Sequence, residues 1–196
     1  METVEIAART RKRLERRDRV YAAAIELFVE QGFDETSMDD IAARAGLART
    51  TVFNHFSRKA LFLEEWALRR RQRAARALGE TDPAGRSLRE LLGRYFAALA
   101  EVNAEMRAET TAMMRLSLNN SDVFLGHVLA GDLADLVLAS GARLRPSTDP
   151  AQVGRLLALG YYSAVVRWIH LEPAPFALDA ELSAILDTVL SGALAE

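Results

Sequence analysis

Cysteine is absent from this 196-residue chain, and among its 25 basic residues lysine occurs only at Lys12 and Lys59. Without a thiol the chain has no disulfide, no thiolate nucleophile and no cysteine-based zinc site, a composition compatible with a reducing cytoplasm. Aromatic residues make up only 7%, and no run of alternating Val, Ile, Thr and aromatic residues reads as a strand. The longest apolar stretch, around Leu156 to Val166, falls short of the roughly 18 residues a membrane span needs, and the polar, Arg-rich start lacks the apolar core of a signal peptide. A cytoplasmic protein with no membrane partner is expected. The three histidines, His55, His127 and His170, are far apart, and there is no H-E-x-x-H, phosphate loop or G-x-S-x-G elbow. No catalytic residue, metal site or cofactor is therefore expected, and His127 and His170 read as body histidines.

What is present is helical periodicity along almost the whole length. The fold class expected is all-α, with about nine helices. Residues 1–75 carry 15 Arg and Lys against 12 Asp and Glu, and the remainder 10 against 15, a basic head on an acidic body. Residues 1–16 are charged with little apolar content and read as a flexible basic arm. Val20, Ala24, Leu27 and Phe28 then set an apolar stripe over about Arg17 to Gln31, closed by Gly32. Ser37 to Asp40 has the form of a capping box opening a short helix that Gly46 ends. A third helix spans Arg49 to Phe56, with Val52 and Phe56 spaced i, i+4, and Ser57 is placed to cap a fourth that reaches Leu78. Two short helices meeting at a Gly-containing turn make a helix-turn-helix.

In the body, Leu88 to Leu99 mark one helix and the Met-rich segment Ala104 to Leu118 the next. A helix from Asp122 to Arg143 precedes one opened by Asp149 and Pro150, and a Leu182 to Leu194 ladder closes the chain. The domains expected are the arm 1–16, a helix-turn-helix domain 17–65 and a dimerisation and effector domain 66–196. The arginines at 69, 70, 71, 73 and 76 read as a solvated helix face.

Gly32-Phe33, Thr36 to Ala42, Ala45-Gly46-Leu47, Thr51 to Phe56 and Lys59 together resemble the DNA-binding domain of the tetracycline-repressor (TetR) family, over about Arg17 to Phe62. The resemblance implies a dimeric, ligand-responsive regulator of transcription, most simply a repressor released from a palindromic operator by a small, largely apolar effector. An activator, or a DNA-binding protein without an effector, shares the same fold; an enzyme is the remoter alternative. In a helix-turn-helix the second helix enters the major groove while flanking groups hold phosphates. Arg49, Thr50, Phe53 and Asn54 are the expected outward face, with Arg49 suited to guanine and Asn54 to adenine. Thr51, His55 and Lys59 suit phosphates, as do Thr36 and Ser37 at a helix start. Ala48 and Phe53 depart from the Ser and Tyr usual in relatives, which removes a side-chain cap and one phosphate-directed hydroxyl. The basic arm is open between minor-groove contact and disorder.

The partners expected are double-stranded operator DNA, a small effector and a second copy joined through the last two helices, where Gly160 and Ala164 permit close approach. The effector residues expected are Phe96, Met106, Met113, Phe124, Tyr161 and Trp168, with Glu109, Thr110 and Ser117 on the same face as the methionines. Glu109 has a second reading, a structural pair with Arg94 or Arg115.

Overall fold

A computed structural model describes residues 2–79, 86–118 and 128–195. Among them nine helices run in order: α1 (Glu2–Glu30), α2 (Met38–Ala45), α3 (Arg49–His55), α4 (Ala60–Ala77), α5 (Leu88–Glu105), α6 (Arg107–Leu118), α7 (Val128–Ala139), α8 (Pro150–His170) and α9 (Leu178–Ala193). No strand forms among the described residues; a single antiparallel bridge, Leu144 to Leu194, ties the segment after α7 to the end of α9. No described helix is long and apolar enough to cross a membrane.

Helices α1 to α3 make the head. Val20, Ala24, Leu27 and Phe28 of α1 are buried against Ile41, Ala45 and Val52. The Phe56 and Phe62 rings stack at 4.1 Å, with Phe28 edge-on to Phe62 at 5.8 Å. Burying each such ring contributes about 1.5–3 kcal/mol, as does burying each of the aliphatic side chains around it. α4 leaves the head and packs along α5, while α1 also touches α6. In the body α7 lies along α8, and α9 lies across α5 and α8.

Several boundaries differ from the sequence expectation. α1 begins at Glu2, so residues 2–16 are helical rather than an arm: Ala, Glu and Arg favour helix, and Arg11 and Glu15 sit 3.7 Å apart at i, i+4. Ser57 does not cap α4, whose N-cap is Lys59 in helical conformation with no side-chain capping bond. Asp149 does cap α8, its carboxylate accepting from Ala151 N at 2.9 Å. Of the expected Asp122–Arg143 helix, the described residues form α7, which ends at Ala139 rather than Arg143; Phe124 and His127 lie outside the described residues, as does the Ser117 side chain. His170 is exposed at the end of α8.

The Leu182, Leu186, Leu190 ladder is buried inside the chain rather than displayed to a partner. Gly160 serves the same internal packing: a Cβ there would lie 2.5 Å from Ile185 Cγ2. The tightest seam is α7 against α8, where a Cβ on Gly154 would meet the Ala130 carbonyl oxygen well inside van der Waals contact and lie 2.9 Å from Ala134 N. Backbone atoms cannot yield as a flexible side chain can. Gly154→Ala is therefore expected to cost about 1–3 kcal/mol as an overpacked site. Gly131→Ala, on the open side of α7 with nothing within 4 Å, is expected to add roughly 0.5–1 kcal/mol from helix propensity. Thermal unfolding of both variants checks the opposite signs; equal melting temperatures would mean that the seam is looser than it looks.

Candidate nucleic-acid interface

The turn between α2 and α3 is built by its own residues. Gly46 takes the left-handed conformation (φ 62°) that ends α2, and its N–H reaches the Ala42 and Ala43 carbonyls; a side chain there would be strained. At the other end of α2, Ser37 Oγ accepts from Asp40 N at 3.1 Å, and the Asp40 carboxylate accepts from Ser37 N at 2.9 Å. The hydrogen bonds from Ser37 pull the Asp40 carboxyl below its ordinary range. α3 has no such cap: Ala48 adopts an extended conformation with no side-chain acceptor. Ala48→Ser is expected to supply that acceptor and add about 1 kcal/mol, readable as a higher denaturant midpoint at unchanged slope.

Val52 and Phe56, both fully buried, pin α3 to the head. The pinning leaves Arg49, Thr50 and Asn54 exposed on one outward face, with Phe53 half-buried among them. Arg49 stacks over the Phe53 ring at 5.2 Å and pairs with Asp39 at 2.9 Å. That pair is solvent-exposed on both sides, so releasing it costs at most about 1 kcal/mol. The Arg49 guanidinium is thus held at the mouth of α3 yet easily transferred to another acceptor. Thr51 and His55 are half-buried at the flank. Burial first, then the charges of Arg13, Arg17 and Arg16, lower the His55 pKa.

Three of the expected phosphate contacts turn out to be committed to the fold. Thr36 is 1% exposed, and its hydroxyl donates to Gly32 O at 2.7 Å. Ser37 spends its hydroxyl on the capping box. Lys59 Nζ donates to Phe33 O at 2.6 Å and sits 4.3 Å over the Phe33 ring, closing the α1–α2 turn. All three lie at turns, where backbone groups left unpaired by helix ends compete for the same donors and acceptors.

Behind the interface, arginines lace the head to α4. Arg17 donates to His55 O at 3.0 Å and to Glu65 at 2.6 Å while covering the Phe56 ring; a cation there also complements the negative end of α3. Arg69 bridges Glu65 at 2.9 Å and Asp18 at 2.6 Å. Burial alone would raise the Glu65 pKa, but the hydrogen bonds from Arg17 and Arg69 outweigh it and leave it lowered. The stability Glu65 contributes is thus present above its unfolded pKa and lost as pH falls through the lower folded value.

Sequence reasoning missed Arg70, placing it among the solvated arginines. It is 4% exposed, donates to Glu109 at 3.0 Å and to Thr110 Oγ1 at 2.9 Å, and stacks 4.3 Å over Trp66. Thr110 in turn bonds Asn103 at 3.1 Å, and Asn103 Nδ2 donates to the Tyr161 hydroxyl at 2.9 Å. On the head side the Tyr21 hydroxyl lies 3.5 Å from Glu109; burial first and the Glu109 charge second push its pKa up, so it stays a donor. The chain of contacts runs from α1 and α4 through α6 and α5 to α8. The signal was legible: Leu63, Trp66, Arg70 and Ala74 form one stripe at helical spacing, and all four are buried. Glu109 pairs with Arg70, not with Arg94 or Arg115.

The expected effector residues mostly fill core. Phe96, Thr110, Met113, Tyr161 and Trp168 are buried, whereas Met106 is 44% exposed on the outside. Trp168 borders a cleft of about 670 Å³ on the body, framed by Ala77, Ala97, Ala98, Ala104 and Leu178 with Arg94 at its edge. A second cleft, about 810 Å³, lies between the end of α1 and α6 and is lined by Phe28, Phe33, Arg107 and Arg115 among others.

Residues 20–65 match the family model described as bacterial regulatory proteins, tetR family. Over nearly the whole length, the crystal structure of Thermus thermophilus FadR, a TetR-family transcriptional repressor in complex with lauroyl-CoA, is 30% identical with a TM-score of 0.67, covering 92% of this chain and 96% of that one. The chain belongs to the TetR family. Curated relatives align through the head alone. The transcriptional activator FasR of Mycolicibacterium smegmatis is 45% identical over 45 residues, 23% of this chain and 20% of that protein. The regulator SrpR of Pseudomonas putida is 42% identical over 50 residues, 26% of this chain and 24% of that protein. The chain thus matches only about a fifth to a quarter of the curated relatives' length. As a TetR-family protein it is a DNA-binding transcriptional regulator, and its head is the part it shares with the curated relatives.

Proposed function

We propose that this TetR-family regulator binds a palindromic operator as a homodimer and represses transcription until a small, largely apolar effector enters its body. The observation that carries this reading is α3 itself, a helix anchored from behind by Val52 and Phe56 that leaves Arg49, Thr50 and Asn54 open to a partner. Arg49 and Asn54 would read bases, with Thr51 and His55 on the flanking phosphates. One head contacts too few base pairs for operator-grade affinity; two heads related by a two-fold axis contact two half-sites about one helical turn apart.

The dimer is proposed through α8 and α9, but by different residues than the leucine ladder. Leu156 and Leu159 on α8 are 49% and 50% exposed. On α9 the outward positions Ala180, Ser183, Ala184, Thr188 and Ser191 are small and exposed, which suits close packing against a symmetry-related pair. The alanine-lined cleft beside Trp168 is the proposed effector entrance; at about 670 Å³ it falls within the roughly 300–1,000 Å³ of ligand sites. The lauroyl-CoA of the Thermus thermophilus relative supports an effector with an extended apolar portion. An effector seated between α4, α5 and α8 would bias the position of α4 and hence the separation of the two heads.

Sedimentation of the chain, alone and on a duplex recovered by selection from a random pool, tests this. Two chains per palindromic duplex is the expected result. One chain per duplex, or a pool that enriches nothing, would reject the dimeric operator reading.

A further inference from the structure

A carboxylate stands on the surface that is to meet a polyanion. Asp39 is exposed on the first turn of α2, beside the mouth of α3, and by its charge alone it weakens attraction to every duplex. Its backbone is firmly held. The Ser37–Asp40 capping box fixes the chain on either side of it, and Ile41 and Ala42 are buried in the head. From there Asp39 Oδ2 accepts from Arg49 Nη1 at 2.9 Å, across the turn and 10 positions along the chain. One turn further along α3, the Phe53 ring lies against the same guanidinium, 5.2 Å from Cζ. Arg49 is therefore confined from two directions, by an acceptor at one nitrogen and by an aromatic face. Among the described residues its Nε and Nη2 meet no partner, so that edge of the fork is open.

We infer that Asp39 is the positioning residue for base recognition by Arg49, holding Nη1 so that the open Nε–Nη2 edge presents its two donors to the O6 and N7 acceptors of a guanine. A long side chain discriminates better when its fork is oriented before contact, because less freedom is then lost in forming the two hydrogen bonds. The ion pair is exposed on both sides and contributes little to the fold. Its effect falls on which sequence is bound. The charge that lowers affinity for all DNA is offset at one base pair of each half-site, so the gap between right and wrong sequences widens. Asp39 itself touches no nucleotide in this arrangement. The inference rests on the operator-binding reading above and adds to it a residue outside α3.

The test scores base preference in selected duplex pools, and affinity for the selected operator and for an unrelated duplex. It uses the whole protein and its Arg49→Ala, Asp39→Ala, Asp39→Asn and Asp39→Ala/Arg49→Ala variants. Arg49→Ala marks the guanine position by erasing its preference. Asp39→Ala is expected to lower the preference at that same position about three- to tenfold, within the roughly 5- to 150-fold that a bidentate contact supplies, and to leave the other positions unchanged. Its affinity for the unrelated duplex is expected to rise, by about twofold or more at low salt. A damaged fold would lower both quantities, so the opposite signs separate positioning from structure. Asp39→Asn keeps an oxygen acceptor without the charge; it should retain most of the guanine preference and still bind the unrelated duplex more tightly. In the double variant the loss of Asp39 should have no further effect at that position. Full preference in Asp39→Ala at the position Arg49 reads, or an equal weakening at every position, would overturn the inference. So would an Arg49→Ala variant with an unchanged consensus, although operator binding would then stand. A whole protein that enriches no duplex would defeat the operator reading itself, and the inference with it.

Discussion

Arg70→Met is expected to destabilise the protein by about 3–5 kcal/mol, because it leaves the Glu109 carboxylate buried without its cation. Arg70 is nearly inaccessible, its side chain 5% exposed, and Glu109 has a side chain 15% exposed, so water cannot readily take the place of the guanidinium. The loss is larger than that of any exposed arginine. Arg73 pairs with Glu105 at 2.7 Å but on the surface, where such pairs contribute little. At about 2–4 °C per kcal/mol for a chain of this size, Arg70→Met should melt roughly 6–20 °C lower. Adding Glu109→Leu should restore much of the loss, since a buried pair replaced as a unit by apolar groups is often neutral. Calorimetry of the two singles and the double measures this coupling, and additive effects would show that the two residues act independently. The pair also joins α4, the helix leaving the head, to α6 of the body. The rescued double variant should therefore fold and yet transmit effector binding to the heads less well.

Asn54→Ala is expected to produce the largest loss of sequence-specific DNA binding. A bidentate contact from an amide to adenine is worth about 1–3 kcal/mol, and a two-fold dimer loses it in both half-sites, for about 2–6 kcal/mol or roughly 30-fold to 10⁴-fold in affinity. Stability should hardly change, because Asn54 is exposed and its side chain makes no hydrogen bond among the described residues. Affinity for unrelated DNA should also persist, since phosphate contacts carry it. Electrophoretic titrations on the operator and on a scrambled duplex separate the two, and an equal loss on both would mean that Asn54 holds phosphate rather than a base.

The head was legible in the sequence because its rules are local. The Ser37–Asp40 capping box, the Gly46 turn and the Val52, Phe56 spacing each depend on residues within a few positions of one another, and the structure forms all of them. The body was legible in its helices but not in its partners. The Leu182 to Leu190 ladder is equally suited to packing within one chain or between two, and only the tertiary arrangement shows it buried against α5 and α8. Arg70 was hidden for a related reason: five arginines in eight positions read as solvent-facing, although one of them lay on the stripe set by Leu63 and Trp66. Thr36, Ser37 and Lys59, read for phosphate contacts, use their side chains in the turns they occupy in the free chain. Arg94 and Arg115 were nearer to Glu109 in sequence than Arg70, which reaches it across 39 positions.

The measurement that bears most directly on the regulator's central role is enrichment of operator sites from a random duplex pool by the purified protein, repeated with Asn54→Ala. A palindromic consensus for the unaltered protein, lost or relaxed at symmetric positions by the substitution, is the expected result. A pool that yields no consensus, or one unchanged by the loss of Asn54, would contradict the reading of α3 as the helix that recognises the operator.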